Sequence, residues 1–169
     1  VESGRTLGPG EVGEIRVKGR VTPGYLDDPA QTAAAFDADG YFRTGDLGCV
    51  DEAGNLQFRG RLKELVKTGG INVSPAEIEA VLMTHPGDAY AVVAGVPDAT
   101  RDEVLGAVII PRAGCAPTEE ELRSHCRQLL ANYKIPALIR LSTEDALPLT
   151  TTGKVQKNRL AHLFFGAPA

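Results

Sequence analysis

Lys154 stands in "LPLTTTGKVQK", after three threonines and a glycine. An ammonium delivered from a polar turn can neutralise charge that develops on a phosphoryl or carboxyl group. Taken alone, Lys154 reads equally well as a solvated surface lysine. Gly153-Lys154 ends like a phosphate-binding P-loop, but Pro148 stands where that motif needs its first glycine and Val155 where it needs Ser or Thr, so the motif is rejected. Asp46 closes "FRTGD", where a carboxylate after a tight Thr-Gly turn can accept two hydrogen bonds from a ligand diol. By itself it is an ordinary turn aspartate. "GRLKELVKTGG" sets Arg61, Lys63 and Lys67 around Glu64 and ends in Gly69-Gly70. Paired glycines permit positive φ or close approach to the backbone. His85, His125 and His162 have no metal-ligand spacing, and there is no GxSxG and no convincing Ser/His/Asp set. No metal site is expected.

The elements that must carry these residues follow from periodicity. "GEIRVKG" alternates Ile15 and Val17 with Arg16 and Lys18, a half-buried strand. "PAQTAAAF" predicts a short helix with Pro29 in its first turn. Leu47–Val50 and Leu56–Arg59 flank a Gly-Asn turn as a hairpin. After Gly60-Arg61 the texture changes. "LKELVKT" and "INV" read as strand-like runs on either side of Gly69-Gly70. Ser74, Pro75 and Glu77 then open a helix with a capping-box arrangement, running through "PAEIEAVLMTH". "AYAVVAGV" and "EVLGAVIIP" are apolar, β-branched strands separated by the polar loop 97–102. "TEEELRSHCRQLLANYK" is a helix capped by Thr118 and Glu121, with Leu122, Cys126, Leu129 and Leu130 as its buried stripe. "LIRLS" is a further strand, and a last helix is expected from about Val155 to Phe165.

Composition narrows the class. A net charge of −4 argues against wholesale binding of nucleic acid, and no apolar run is long enough to span a membrane. Cys49, Cys115 and Cys126 are scattered and odd in number, which suits a reducing, cytoplasmic compartment and small packing roles. The opening "VESGRTLGPGEVGEIRV" reads as the middle of a larger protein.

"YFRTGD", then "GRLKELVKTGGINVSPAEIE", then "LPLTTTGKVQK" resembles, in order, the last three signature motifs of the adenylate-forming enzymes. These comprise acyl-CoA synthetases, the adenylation domains of peptide synthetases and beetle-type luciferases. "GEIRVKG" and "PGYLDDPAQTAAAF" also look like the text that precedes the first of these motifs, so the resemblance covers nearly the whole chain. It implies an α+β fold: a β-rich remnant of the small barrel of a large N-terminal domain over residues 1–61, then a mobile C-terminal domain over 62–169. That second domain is expected to hold a short, mainly antiparallel sheet and about three helices.

The same resemblance assigns roles. Asp46 matches the aspartate that holds the ribose hydroxyls, Arg61 an arginine at ribose or phosphate, and Phe58 a residue near the adenine. Lys63 matches the hinge about which the small domain rotates. Lys154 matches the lysine that reaches the acyl carboxylate and the α-phosphate of ATP. Gly69 and Gly70 would line a pantetheine channel, Tyr133 would stack on the CoA adenine, and Lys134 and Arg101 would meet CoA phosphates. Carboxylate attack on the α-phosphorus joins two anionic reactants, so an ammonium there both orients and stabilises. The polar run 149–153 is expected to be flexible, letting Lys154 enter and leave.

"TGGINVSPAEIE" is more similar to acyl-CoA ligases than to peptide-synthetase adenylation domains, which usually read "GxRIExxEIE". The expected activity is therefore ATP-dependent ligation of a carboxylic acid to CoA, with Mg2+ accompanying ATP. The phosphate-binding loop, the Mg-associated glutamate and the acyl pocket are missing from these residues. The partner implied is the large N-terminal domain of the same chain, and the 169 residues alone are expected to be inactive. Two other readings stay open: part of a peptide-synthetase adenylation domain acting on a carrier protein, and a non-enzymatic interaction module.

Overall fold

The computed structural model describes residues 4–167. The chain divides into two compact units, Val1–Lys63 and Glu64–Ala169.

In the first unit, β1 (Gly13–Val17), β2 (Phe42–Val50) and β3 (Leu56–Arg61) form an antiparallel sheet in the order β1-β2-β3. The β2–β3 turn is held by Asp51 Oδ1, which accepts from the N–H groups of Ala53 and Asn55 at 3.0 and 2.8 Å. Helix α1 (Pro29–Ala35) starts where Asp28 Oδ1 accepts from Gln31 N–H at 2.8 Å. The helix buries none of its residues, and among the described residues the unit's buried apolar side chains are those of Leu47 and Cys49 on β2.

The second unit is built around a long hairpin. Strand β6 (Asp88–Asp98) pairs antiparallel with β7 (Asp102–Pro111) from Asp88↔Pro111 to Asp98↔Asp102, so the connecting loop is shorter than expected. The other edge of β7 is shared. Strand β4 (Val66–Thr68) meets it at Thr68↔Asp102 and continues the sheet to β5 (Ile71–Val73), while β8 (Leu138–Leu141) runs parallel along Gly106–Ile109.

The continuous apolar text of β6 has a simple cause: both faces of the sheet are covered. Ala91 and Val93 face a core with Ile78 and Leu82 of α2 (Pro75–Leu82) and Leu122 and Cys126 of α3 (Glu119–Leu129). Val92 and Ala94 face a second core with Leu147 and with Leu160 of α4 (Leu160–Phe165). Packing on that side is close enough that a Cβ at Gly106 would lie 2.8 Å from the Phe165 ring. No helix among the described residues is long and apolar enough to cross a membrane.

Several local expectations change. The run after Arg61 begins with a 3-10 turn, Leu62–Glu64, before β4 starts. Thr118 and Glu121 close a capping box on α3, but Ser74 makes no capping bond from its side chain on α2. Glu77, the other half of that anticipated box, is engaged by Lys134 instead. Leu129 is 57% exposed at the end of α3 rather than buried. The last helix begins at Leu160, after a separate 3-10 turn over Lys157–Arg159. Cys49 and Cys126 are buried and Cys115 is exposed.

Candidate functional site

Asp46 and Arg61 are directly opposed across β2 and β3. Opposed residues of an antiparallel pair project from the same face. Further along, Gly48 faces Phe58 rather than Arg59, so Arg59 is an additional residue in β3, a β-bulge. The bulge matters. Phe58 and Arg61 are three apart, which would send them to opposite faces of a regular strand. With Arg59 inserted they share the face of Asp46. Phe58 is 58% exposed there.

Arg61 Nε lies 3.0 Å from Asp46 Oδ1, an ion pair in which the N–H is not aimed along the contact. Oδ1 is therefore buried without a hydrogen-bond donor among the described residues. A buried acceptor in that condition is what a ligand hydroxyl can satisfy. The carboxylate is held in place from behind: Asp46 N–H donates to Thr44 Oγ1 at 3.0 Å, and Thr44 Oγ1 donates to Ile15 O at 2.7 Å.

In the second unit, Gly69 and Gly70 form the two-residue turn between β4 and β5, with φ of 56° and 80°. Two successive positive φ values are the requirement of a type I′ hairpin turn. A Cβ at either glycine would meet nothing within 4 Å inside the chain, so backbone conformation explains the pair without any need for space. Gly69 N–H donates to Arg101 O at 3.0 Å, which ties this turn to the β6–β7 loop. Beside it is a groove of about 390 Å3 lined by Gly69, Ile71, Arg101, Leu105, Tyr133 and Ala137, among others. Gly69, Arg101 and Tyr133, matched separately to CoA contacts, thus lie on one groove. Gly70 and Lys134 are not on its wall. Lys134 Nζ is 2.7 Å from both carboxylate oxygens of Glu77 and 5.7 Å from the Tyr133 ring centroid. Its charge is already committed.

Lys154 sits on a closed turn, not a loose run. Leu149 and Val155 form an isolated β-bridge. Thr150 N–H donates to Lys154 O at 2.8 Å, Gly153 N–H to Thr150 O at 3.0 Å and Lys154 N–H to Thr150 Oγ1 at 3.0 Å. Gly153 supplies the positive φ of 77° that closes the bend. Thr150 thus holds the backbone of Lys154 at both ends, and its hydroxyl, read as looseness, is one of the fastenings. The whole turn is exposed, and the Lys154 ammonium makes no ion pair or hydrogen bond among the described residues.

Three residues on, Lys157 is the reverse. Its Nζ lies 2.7 Å from Glu79 Oε1 and 3.2 Å from Glu64 Oε2. Glu79 Oε1 also accepts from Val93 N–H at 2.7 Å. Burial works against the charge of Lys157, but the two carboxylates outweigh it and hold the ammonium above its ordinary pKa. Sequence reasoning missed this cluster: Glu64, Glu79 and Lys157 all stand in the motif stretches quoted above, but nothing in those stretches says that the three side chains meet. Lys63 is exposed in the 3-10 turn within which the two units divide. Apart from these, Asp88 is fully buried at the start of β6, with neither carboxylate oxygen in hydrogen-bonding geometry. Burial pushes its pKa up to about 6, against the weaker pull of Tyr90 N–H and the Arg112 guanidinium.

Residues 77–154 match the family model of the AMP-binding enzyme C-terminal domain. The chain is 40% identical over 168 residues to an oxalate–CoA ligase of Arabidopsis thaliana, covering 99% of this chain and 32% of that protein. It is 42% identical over 164 residues to a 2-succinylbenzoate–CoA ligase of Geobacillus kaustophilus, covering 96% of this chain and 33% of the relative. Among solved structures, ATP-bound MatB from Rhodopseudomonas palustris superimposes with a TM-score of 0.87 at 40% identity, over 96% of this chain and 32% of that one. The chain thus spans about a third of the length of the relatives it matches. Residues 77–154 thus match an AMP-binding enzyme C-terminal domain, and nearly the whole chain is similar to part of each of these CoA ligases.

Proposed function

We propose that this chain is part of the C-terminal region of an AMP-forming acyl-CoA ligase. One observation carries the reading: Lys154 presents an unpaired ammonium on a turn closed by Thr150, within a unit that matches the AMP-binding enzyme C-terminal domain. In the first half-reaction, an oxygen of the acyl carboxylate attacks the α-phosphorus of ATP and pyrophosphate leaves. The Lys154 ammonium draws the two anionic partners together and offsets charge on the phosphoryl oxygens. Asp46 accepts the ribose hydroxyls, with Arg61 alongside and Phe58 offering its ring to the adenine. In the second half-reaction, the pantetheine thiol attacks the acyl carbonyl, releasing AMP and a proton. The thiol arm passes Gly69-Gly70, the nucleotide end lies against Tyr133, and Arg101 meets phosphate. Lys134, held by Glu77, contributes less. Lys63 is the residue whose backbone torsions change between the two steps.

The described residues include no group of three or more His, Cys, Asp or Glu side chains that could hold a metal ion. Mg2+ bound to ATP would depend on the large N-terminal domain, and no step here runs through it. The free thiols fit a cytoplasmic enzyme.

The test uses the full-length parent. Lys154→Ala is expected to lower acyl-adenylate formation by about three orders of magnitude, as loss of a transition-state donor does. Thioester formation from supplied acyl-adenylate should be largely spared. Equal loss in both half-reactions would overturn the assignment of Lys154 to adenylation. Supplying CoA or a phosphopantetheinyl carrier protein as acceptor distinguishes the ligase from an adenylation domain, and the 169 residues alone should show no ATP–pyrophosphate exchange.

A further inference from the structure

The turn that carries Lys154 has a well-defined internal shape but little of its own to place it. Residues 149–154 are all exposed, so no buried side chain of the turn anchors it to the domain. Its position is set by what flanks it. On one side Leu147 enters the core; on the other Val155, next to Lys154, packs against that core while only partly buried, and Leu160 enters it. Between Lys154 and Leu160 the principal polar attachment is Lys157.

That attachment gathers four pieces of the unit. Lys157 Nζ joins the segment just after the turn to Glu79 on α2 and to Glu64 in the 3-10 turn. Glu79 Oε1 extends the link to the backbone of β6 through Val93 N–H. The side chains of Lys157, Glu64 and Glu79 are 23%, 33% and 15% exposed. At that depth an ion pair is screened less than a surface one, and its geometry is held by the packing around it. Glu64 is the first residue of the second unit, adjacent to Lys63. The same ammonium therefore fastens the Lys154 turn to the point where the chain enters the domain.

We propose that Lys157 is a positioning residue for Lys154: the Lys157–Glu79–Glu64 cluster holds the turn in register with the body of the domain and with its entry segment. The proposal rests on the reading of Lys154 as the adenylation lysine. Lys157 touches no reactant, so its removal misplaces an ammonium without removing one.

In the full-length parent, Lys157→Met is expected to lower kcat for acyl-adenylate formation by on the order of 10- to 100-fold, the usual effect of misplacing a catalytic group by about 1 Å. KM for ATP and the rate of thioester formation from supplied acyl-adenylate should each stay within about threefold of the parent. Lys157→Arg keeps a cation that can reach both carboxylates and should restore most of the rate. An unchanged adenylation rate in Lys157→Met would overturn the proposal, as would an equal loss in both half-reactions, which marks a merely destabilised domain. Should Lys157→Met fail to fold, Glu64→Gln carries the test: a smaller loss confined to adenylation supports the proposal, and no loss overturns it. Lys154→Ala is run in parallel. If it too leaves adenylation intact, the reading of Lys154 has failed; if it abolishes adenylation while the Lys157 variants are silent, only the positioning proposal has failed.

Discussion

The first unit and the second present the charges of their candidate site residues in opposite ways. On the β2–β3 face, Asp46 and Arg61 are spent on each other, 3.0 Å apart in direct cross-strand register. In the second unit, Lys157 is spent on Glu79 and Glu64 and Lys134 on Glu77, while Lys154 itself is left unpaired among the described residues. The difference suits two kinds of work. A nucleotide-holding face can exchange an internal ion pair for a ligand of the same polarity and recover most of the energy. A charge needed in the transition state is more effective when nothing has to be broken to use it.

The contrast extends to packing, and there it can be probed most strongly. The first unit buries little, whereas the second is covered on both faces of its sheet and has enclosed one carboxylate, Asp88, that it does not satisfy. The pKa of Asp88 is raised to about 6 from an ordinary 3.8. Between those values the folded chain keeps a proton that the unfolded chain releases. This group therefore lowers stability as pH rises from about 4 to about 6, by on the order of 3 kcal/mol at most. Asp88→Asn should remove that fall. Urea unfolding of the chain at pH 4.5 and 7.5 would measure it, and an unchanged pH dependence would show that the second unit tolerates the charge after all.

A smaller effect tests the other side of the comparison. In the parent enzyme, Asp46→Ala should raise KM for ATP by about 10- to 100-fold, the value of one or two hydrogen bonds to a charged group. Arg61→Ala should do less, because it also releases Asp46 for the ligand. If the two variants are equally damaging, the pair acts as a unit and the exchange argument is wrong. Smallest of all is Thr150→Val. It deletes the hydroxyl that accepts from Lys154 N–H, costing about 1 kcal/mol, or roughly fivefold in adenylation rate. A loss as large as that of Lys154→Ala would mean that the turn, and not its lysine, is the sensitive part.

Much of this arrangement is legible in the residues. The alternation in β1, the capping box at Thr118 and the two apolar runs of the β6–β7 hairpin reflect local rules, and local rules can be read from a single sequence. Asp46, Arg61 and Lys154 stand out through the order of their motifs. What escaped detection is non-local. Nothing in "GINVSPAEIE" says that Glu79 will accept both a backbone N–H of β6 and a lysine from near the end of the chain. Nothing in "ANYK" says that Lys134 will prefer Glu77 to a ligand. The threonine run misled for another reason: small polar side chains that bond to their own backbone look the same, on paper, as side chains bonded to water.

The extra residue at Arg59 has a consequence for how such chains are aligned or edited. In an ordinary strand, parity decides facing, and Phe58 and Arg61 differ in parity. The bulge shifts the phase by one between them, so the face holding Asp46, Phe58 and Arg61 depends on a count of residues rather than on any one side chain. Replacing Arg59 leaves the count intact; deleting it would return the strand to regular phase and turn one of its two neighbours away. The short interval from "FRTGD" to "GR" thus behaves like a reading frame, tolerant of substitution and intolerant of single-residue gaps.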